Sequence, residues 1–351
     1  MNLGEHMDNR CDYSGKNIGK YHLVKKLGNG HFGSVYLAQD LILNTDKAIK
    51  IMDVKNAEEA LKSFNEAALP YKCNHDNIAK INDGILEVFE SKPVFIVDME
   101  YVSGGSIQSM IENDELSIIG SIMIMKGILF GLQHSHDQDI LHRDIKPANI
   151  LISNGTPKLT DFGLAMTFDQ DLNENDLWYI LHMAPECSVE STPTVQMDIY
   201  AIGMTFFRMV NNIANLNNYV LLLKNGKKYL DEGKLVQNAK FMPYVPQKLI
   251  RVIRKACNSD PQKRFTSASE MRDALEKMIP NINWKKDNEN HWYGIKDTDT
   301  YDIFILAKRN SFDVDIKHNG RRNTALCKKF PTYEEAEKYF YKHIADTTLM
   351  Q

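Results

Sequence analysis

His142-Arg143-Asp144-Ile145-Lys146-Pro147-Ala148-Asn149 is the stretch that decides the fold, together with Asp161-Phe162-Gly163 farther along the chain. The two segments contain carboxylates, a lysine cation and an amide oxygen. Phosphoryl transfer needs a carboxylate that orients the acceptor, a cation near the transferred group and oxygen ligands for magnesium. The two segments therefore predict a site for phosphoryl transfer from a nucleotide.

A glycine-rich loop lies upstream, between two apolar runs that we expect to be strands. Leu27-Gly28-Asn29-Gly30-His31-Phe32-Gly33-Ser34-Val35 has the spacing G-x-G-x-x-G-x-V, and glycines allow the backbone to lie close over a triphosphate. The same spacing opens dinucleotide-binding folds, in which an acidic residue follows. Here the next strand-like run ends in Ala48-Ile49-Lys50, and its lysine favours a nucleoside triphosphate.

With these motifs in this order, residues from about 18 to 280 resemble a complete eukaryotic-type (Hanks-type) serine/threonine protein kinase domain. The resemblance implies an α+β protein with the two-lobed kinase fold. The β-rich N-lobe would cover about 18–102 and the α-rich C-lobe about 103–280. Residues 1–17 are then an N-terminal extension, and residues 281–351 form a small C-terminal module.

The resemblance also implies how the phosphates of ATP are bound. Lys50 matches the lysine that holds the α- and β-phosphates, and Glu66 matches the helix glutamate that pairs with it. Glu58 and Glu59 are the alternatives for that glutamate. Glu66 is preferred because His75-Asp76-Asn77-Ile78 follows it at the interval seen in the family.

Adenine is expected to lie between apolar side chains and the hinge that joins the lobes. Met99 is the predicted gatekeeper, and the backbone of Glu100 and Val102 would contact the base. The complete set predicted to bind ATP is Leu27, Gly28, Gly30, Gly33, Val35, Ala48, Lys50, Glu66, Met99, Glu100, Val102 and Leu151.

The resemblance assigns the catalytic chemistry to four residues. Asp144 would accept a hydrogen bond from the substrate hydroxyl and take its proton late, while Lys146 would offset charge on the transferred group. Asn149 and Asp161 would ligate magnesium, so the implied cofactors are ATP and Mg²⁺. The arrangement D-x-K-x-x-N favours serine and threonine over tyrosine in protein substrates.

Three more segments match structural landmarks of the kinase C-lobe. They are Ala184-Pro185-Glu186, Asp198-Ile199-Tyr200-Ala201-Ile202-Gly203 and Asp260-Pro261-Gln262-Lys263-Arg264. By the resemblance, Glu186 and Arg264 should form a buried ion pair with a structural role.

The segment from Asp161 to Glu186 departs from the family pattern. Trp178-Tyr179 stands where these kinases usually carry Gly-Thr, and the aromatic rings could crowd the acceptor site, shape it for an unusual substrate or become phosphorylated. We hypothesise that a nearby carboxylate replaces an activating phosphate beside Arg143. The alternative is a solvated acidic loop. The candidate carboxylates are Asp169, Asp171, Glu174 and Asp176.

Composition predicts a soluble cytoplasmic chain. The 351 residues are 43% hydrophobic and 25% charged, and a net charge of −4 gives no global basic field for nucleic acid or membrane. The five cysteines are scattered and odd in number, which favours reduced thiols. The apolar stretch 118–132 is interrupted by polar residues and falls short of a membrane span, and the polar N-terminus lacks a signal-peptide core.

The module at 281–351 is predicted to be a β-sheet covered by one helix. Strands are expected at 291–296, 302–308, 312–317 and 324–330, with a hairpin turn at Asn319-Gly320. Thr332-Tyr333-Glu334-Glu335 is a capping box for the helix. Ala336, Phe340 and Ile344 should form its inner stripe.

Two readings remain open for the module and two for the chain. Residues 308–329 carry seven Lys/Arg against two Asp, a patch that could meet nucleic acid or an acidic partner. Over the whole tail, twelve basic residues face eleven acidic ones, which favours a targeting or regulatory module. The chain is predicted to be an active kinase; the alternative is an ATP-binding pseudokinase scaffold, which would be expected to lack Lys50, Asp144 or Asp161. No oligomeric state is indicated.

Overall fold

The computed structural model describes residues 12–30, 33–54, 71, 73–114, 116–162, 181–188 and 192–350. The chain divides into two compact units. The first unit contains the described residues up to His75, together with 79–103 and Phe162. The second contains 76–78, 104–161 and the described residues from 181 to 350. The C-terminal module predicted at 281–351 thus belongs to the second unit.

The first unit is built on a six-stranded antiparallel sheet, in the order β1-β2-β3-β4-β6-β5. Its strands are β1 (Asn17–Ile18), β2 (Tyr21–Gly30), β3 (Gly33–Asp40), β4 (Thr45–Asp53), β5 (Ile81–Phe89) and β6 (Lys92–Glu100). Side chains alternate between the two faces of a strand, so each face gathers its own apolar cluster. One cluster contains Leu23, Tyr36, Ile49 and Ile96, each 0% exposed.

The helical part of the second unit lies between residues 104 and 278. Its helices are α1 (Ile107–Glu112), α2 (Ile118–His136), α3 (Val195–Asn211), α4 (Leu216–Leu222), α5 (Gly226–Asp231), α6 (Leu235–Asn238), α7 (Gln247–Ala256) and α8 (Ala268–Glu276). A two-stranded hairpin, β7 (Ile150–Ser153) with β8 (Thr156–Leu159), follows the predicted catalytic segment.

Helix α2 is the core helix of this region. Ser117 begins it by accepting a hydrogen bond from the backbone N–H of Gly120 at 3.0 Å. The helix extends to His136, beyond the apolar stretch 118–132, and by length and composition alone it could cross a membrane. Within the protein, however, 56% of its most apolar window is buried, which is the environment of a core helix.

The C-terminal module contains an antiparallel sheet in the order β13-β12-β11-β10-β9, with β14 also paired to β12. The strands are β9 (Asn283–Asn288), β10 (His291–Lys296), β11 (Asp299–Lys308), β12 (Ser311–His318), β13 (Arg321–Arg322) and β14 (Lys328–Phe330). Asn319 and Gly320 turn with φ of 49° and 72°, as the hairpin prediction requires.

Two details of this sheet correct the prediction. The strand expected at 324–330 is limited to Lys328–Phe330, because residues 324–326 form a turn. Strand β9 was not predicted from the sequence, since Asn283–Asn288 has no apolar alternation and forms by pairing with β10.

The last helix, α9 (Tyr333–Thr348), covers one face of the sheet. Thr332 caps it, because its hydroxyl accepts a hydrogen bond from the backbone N–H of Glu335 at 3.3 Å. Ala336, Phe340 and Ile344 are each 0% exposed and form the inner stripe that the sequence predicted.

The predicted ion pair between Glu186 and Arg264 is present. The two guanidinium nitrogens Nη1 and Nη2 of Arg264 lie 2.5 and 2.7 Å from the two carboxylate oxygens of Glu186. The side chain of Arg264 is 0% exposed and that of Glu186 is 10% exposed. Arg264 also donates to the carbonyl oxygens of Asn258 and Gln196, so it ties three segments together.

We expect Arg264→Met to lower the free energy of unfolding by about 3–5 kcal/mol, because it leaves the Glu186 carboxylate without its partner in a buried site. The double variant Arg264→Met/Glu186→Leu should lose less, since no charge is then stranded. Denaturant unfolding measures both. Lys263→Met, which removes an exposed pair with Asp260, is the control and should change little. Equal losses in the single and double variants would contradict the stranded-charge explanation.

Candidate active site

The backbone of the segment predicted to be catalytic is held by a buried carboxylate on helix α3. Asp198 is 2% exposed, and its two oxygens accept the backbone N–H groups of His142 and Arg143, both at 2.8 Å. His136 donates to the same carboxylate at 2.9 Å. Burial opposes ionisation of Asp198, but the bonds from His136 and His142 outweigh it and hold the pKa below its ordinary value.

The ring of His142 extends this hydrogen-bond network to Asp144 and Thr160. Its ring is 0% exposed; Nδ1 accepts the backbone N–H of Asp144 at 3.3 Å and Nε2 donates to the carbonyl of Thr160 at 3.0 Å. Because Nδ1 accepts, the imidazole is neutral with its proton on Nε2. Burial lowers the pKa of His142 despite the nearby charge of Asp198.

Three predicted site residues meet directly. Lys146 Nζ donates to both carboxylate oxygens of Asp144, at 2.9 and 2.7 Å. The amide nitrogen of Asn149 donates to the carbonyl and to Oδ2 of Asp144, both at 2.8 Å. Asp144 is therefore fixed by its neighbours, while its side chain remains 19% exposed and open to a substrate.

The position of Asp161 is fixed through the residue before it. The backbone N–H of Thr160 donates to the carbonyl of Asn149 at 3.0 Å. The carbonyl of Thr160 accepts a hydrogen bond from the ring of His142. Asp161 itself has φ of 60°, in the left-handed region that few residues other than glycine adopt. The structure thus joins the segments of the two residues predicted to bind magnesium.

In the first unit, several residues predicted to bind ATP share one face of the sheet. Val35 pairs with Lys50 across β3 and β4, and Ala48 pairs with Met99 across β4 and β6. Residues paired across antiparallel strands point to the same face. Lys50 is only 3% exposed, and Val35, Ala48 and Met99 belong to one apolar cluster. Val102 is buried as well.

The glycine-rich strand edge shows why Gly33 must be glycine. A Cβ added there would lie 2.2 Å from the carbonyl oxygen of Ile51, so the close approach of β3 and β4 excludes a side chain. At Gly28 a Cβ would meet nothing within 4 Å, and Leu27 is 43% exposed. Leu151 lies on β7 in the second unit, bridged to Ser106.

Several predicted residues lie outside the described part of the chain. They are Glu66 with its alternatives Glu58 and Glu59, Gly163 of the Asp161 motif, the Trp178-Tyr179 pair and the acidic residues Asp169, Asp171, Glu174 and Asp176. Their roles stay predictions. Conversely, sequence reasoning gave no function to His136 or Thr160, and it treated Asp198 only as a landmark of the fold.

Comparisons with known proteins match most of the chain to one family. The family model described as the protein kinase domain matches residues 21–277. The chain is 32% identical over 269 residues to serine/threonine-protein kinase PrkC of Bacillus subtilis, covering 73% of this chain and 40% of that protein. It is 31% identical over 261 residues to the probable serine/threonine-protein kinase PknB of Lactococcus lactis, covering 72% of this chain and 41% of that protein.

Solved structures show the same fold. Two crystal structures of the Mycobacterium tuberculosis PknI kinase domain, one of a point mutant, superpose with TM-scores of 0.54 and 0.57 at 22% identity. Each covers 75% of this chain, and the matched region covers 98% and 97% of those chains. The predicted fold class is confirmed: an α+β chain with a β-rich N-lobe, an α-rich C-lobe and a C-terminal sheet and helix.

The folded chain should become less stable as the pH falls below about 6.5, the ordinary pKa of histidine. Burial lowers the pKa of His142, so between that lowered value and 6.5 the unfolded chain binds a proton that the folded chain does not. His182 adds to this effect, because burial and the Arg208 guanidinium lower its pKa well below the ordinary value. Denaturant unfolding at about pH 7.5 and about pH 5.5 measures the loss.

His142→Asn tests the assignment. Removing this imidazole should reduce the pH dependence of the unfolding free energy by up to about 1.4 kcal/mol per pH unit. A variant with the same pH dependence as the unmodified chain would show that His142 is not one of the titrating groups.

Proposed function

We propose that this chain, which belongs to the protein kinase family, transfers the γ-phosphate of Mg-ATP to serine or threonine hydroxyls of proteins. The observation that carries the proposal is the fixed cluster of Asp144, Lys146 and Asn149. The curated relatives named serine/threonine kinases support it. The chain spans 40% and 41% of the lengths of the two relatives compared.

Asp144 is the group that would receive the substrate hydroxyl. Lys146 and Asn149 both donate to its carboxylate, so the direction of the carboxylate is set before substrate arrives. In this proposal Asp144 orients the hydroxyl toward the γ-phosphate and takes its proton late. Lys146, whose side chain is 32% exposed, would offset charge on the transferred phosphoryl group.

The residues at this site fit magnesium. Both bonds that Asn149 donates to Asp144 come from its amide nitrogen, so its side-chain oxygen is not used in them. Asp161 adds a carboxylate, and magnesium prefers one or two protein oxygens together with phosphate oxygens and water. When bound, the ion would neutralise charge on the phosphates. Asn149 and Asp161 are therefore proposed as its protein ligands.

The nucleotide itself is proposed to bind through the face of the first-unit sheet that carries Lys50. The near-complete burial of Lys50 beside the apolar Val35 and Met99 suits an ammonium that meets phosphate oxygens rather than water. A cytoplasmic location is part of the same proposal. It is supported by the free thiols of Cys73, Cys187, Cys257 and Cys327.

The C-terminal module is proposed to regulate or target the kinase by packing on the helical part of the second unit. Tyr244, which precedes α7, packs its ring 4.9 Å from Trp292 and 5.9 Å from Tyr341. Nucleic-acid binding has less support, because strand alternation separates the basic residues: Lys317 and Arg322 share one face, while Arg321 shares the other with His318.

The kinase activity is tested by incubating the purified chain with Mg-ATP and a generic protein substrate, followed by mass spectrometry. Asp144→Ala should lower phosphate transfer by about 10²–10⁴-fold, because it removes the group that orients and deprotonates the acceptor. Asp231→Asn, at an exposed helix end, is the matched control and should transfer normally. Equal transfer by wild type and Asp144→Ala, or none despite ATP binding, would favour the scaffold alternative.

Docking of the module is tested by Tyr244→Ser. Loss of the two ring contacts should destabilise the chain by about 1–3 kcal/mol and speed hydrogen exchange in β10 and α9. A change in phosphate transfer in the same variant would support regulation by the module. Tyr293→Ser, at a 38%-exposed ring, is the control. Unchanged exchange in the Tyr244 variant would contradict the proposed docking.

A further inference from the structure

The connection between β13 and β14 presents an accessible hydroxyl. Thr324 is exposed in the turn at 324–326, and within the described part of the chain its hydroxyl forms no hydrogen bond. The turn is closed by the backbone N–H groups of Leu326 and Cys327, which both reach the carbonyl of Asn323 at 3.1 Å.

Cations flank Thr324 on both sides. Arg321 and Arg322 precede it, Lys328 and Lys329 follow it, and all four residues are exposed. No carboxylate occurs from 321 to 329. A phosphate on threonine carries a charge of about −1.5 to −2 at neutral pH and binds best beside arginine and lysine. The four flanking cations therefore favour a phosphorylated hydroxyl at this position, and one of them, Arg322, is already bound to Asp315 of β12.

The backbone before Thr324 is attached to the edge of the sheet by a short run of bonds, the pairing of β13 and one further bond from the backbone N–H of Asn323 to the carbonyl of Ile316 at 2.8 Å. Strand β13 has two residues and lies at the sheet edge, where it pairs only with β12 among the described strands. Short edge pairings open at little free-energy cost. After the turn, the chain is held more firmly, because Tyr339 donates to the carbonyl of Leu326 at 2.8 Å. Residues 321–324 can extend into an active site when this short run and the Arg322–Asp315 ion pair open, while the bonds after the turn keep the module folded.

Other hydroxyls of the module lack this combination. Ser311 is only 4% exposed, Thr332 caps α9, and Thr300 is bonded to Asn319. Thr298 is exposed like Thr324, but it stands between Asp297 and Asp299, which would repel a phosphate. Thr298 is therefore an internal comparison for the effect of the flanking charges.

We propose that Thr324 is a phosphorylation site, modified by the active site of another copy of this chain. The proposal rests on the proposed kinase function. The Oγ1 of Thr324 forms a bond to the γ-phosphorus of ATP, the bond to the β–γ bridging oxygen breaks, ADP leaves, and the hydroxyl proton passes to Asp144 of the modifying copy. No oxidant or further reactant is needed.

The modification would alter an existing ion pair. Arg322 now binds Asp315 through two nitrogens, at 3.1 and 2.7 Å. A dianionic phosphate two residues away competes for that guanidinium, because charge-assisted bonds to phosphate are strong. Phosphorylation then frees Asp315 and offsets up to about two of the four positive charges of residues 321–329.

The test mixes the active full-length chain with an isotopically labelled Asp144→Ala copy, Mg-ATP and a generic protein substrate. Mass spectrometry then maps phosphate on labelled peptides. We expect phosphate on Thr324 of the labelled copy and none on Thr298. Thr324→Val in that copy should remove the signal. Arg321→Gln/Arg322→Gln should slow its modification about tenfold, because the acceptor loses its flanking cations.

The outcomes separate the two proposals. Phosphate on the generic substrate with Thr324 unmodified would overturn the Thr324 site and leave the kinase function standing. Phosphate on Thr324 of active copies alone would overturn modification by another copy. Transfer to neither acceptor would overturn both proposals. When the paired-arginine variant is made in the active chain, its transfer to the generic substrate should be unchanged, since those residues lie outside the catalytic cluster.

Discussion

The charge of Asp198 and the backbone of the catalytic segment depend on each other. A buried carboxylate is strongly unfavourable unless donors surround it, and the N–H groups of His142 and Arg143 supply two of those donors. In return, the charge holds these peptide groups in place, including the left-handed φ of 66° at Arg143. Neither feature is stable without the other, so this interaction sets the geometry of the site.

The hydrogen bonds that begin at Asp198 lead to the segments of both predicted magnesium ligands, Asn149 and Asp161. His142 is fixed at its own backbone by Asp198, and its ring then binds Asp144 and Thr160 through opposite nitrogens. A neutral imidazole is required, because a protonated ring has no acceptor for the N–H of Asp144. Burial of His142 thus has a functional consequence. By keeping the ring neutral, it preserves the two hydrogen bonds that connect the segments of Asp144 and Asp161.

Local motifs allowed much of this to be predicted. The cluster of Asp144, Lys146 and Asn149 lies within six residues, and the apolar stripe of α9 repeats at helical spacing. Both features could therefore be predicted from residues that are close together in the sequence. The bond from Arg143 to Asp198 spans 55 residues, and no local pattern reports it. Strand β9 failed for a related reason: its polar sequence becomes a strand only because β10 lies beside it.

The C-terminal module is joined to the helical part of the second unit at both the first and the last residues of the module. Pro280 bridges to Leu349, and the backbone N–H of Met350 donates to the carbonyl of Ile279 at 2.9 Å. With Tyr244 packed against the module's aromatic core, the contact does not resemble a domain on a free tether. A charge change at the β13 edge would therefore act on a module already packed on the helical part of the second unit. No linker would need to become ordered first.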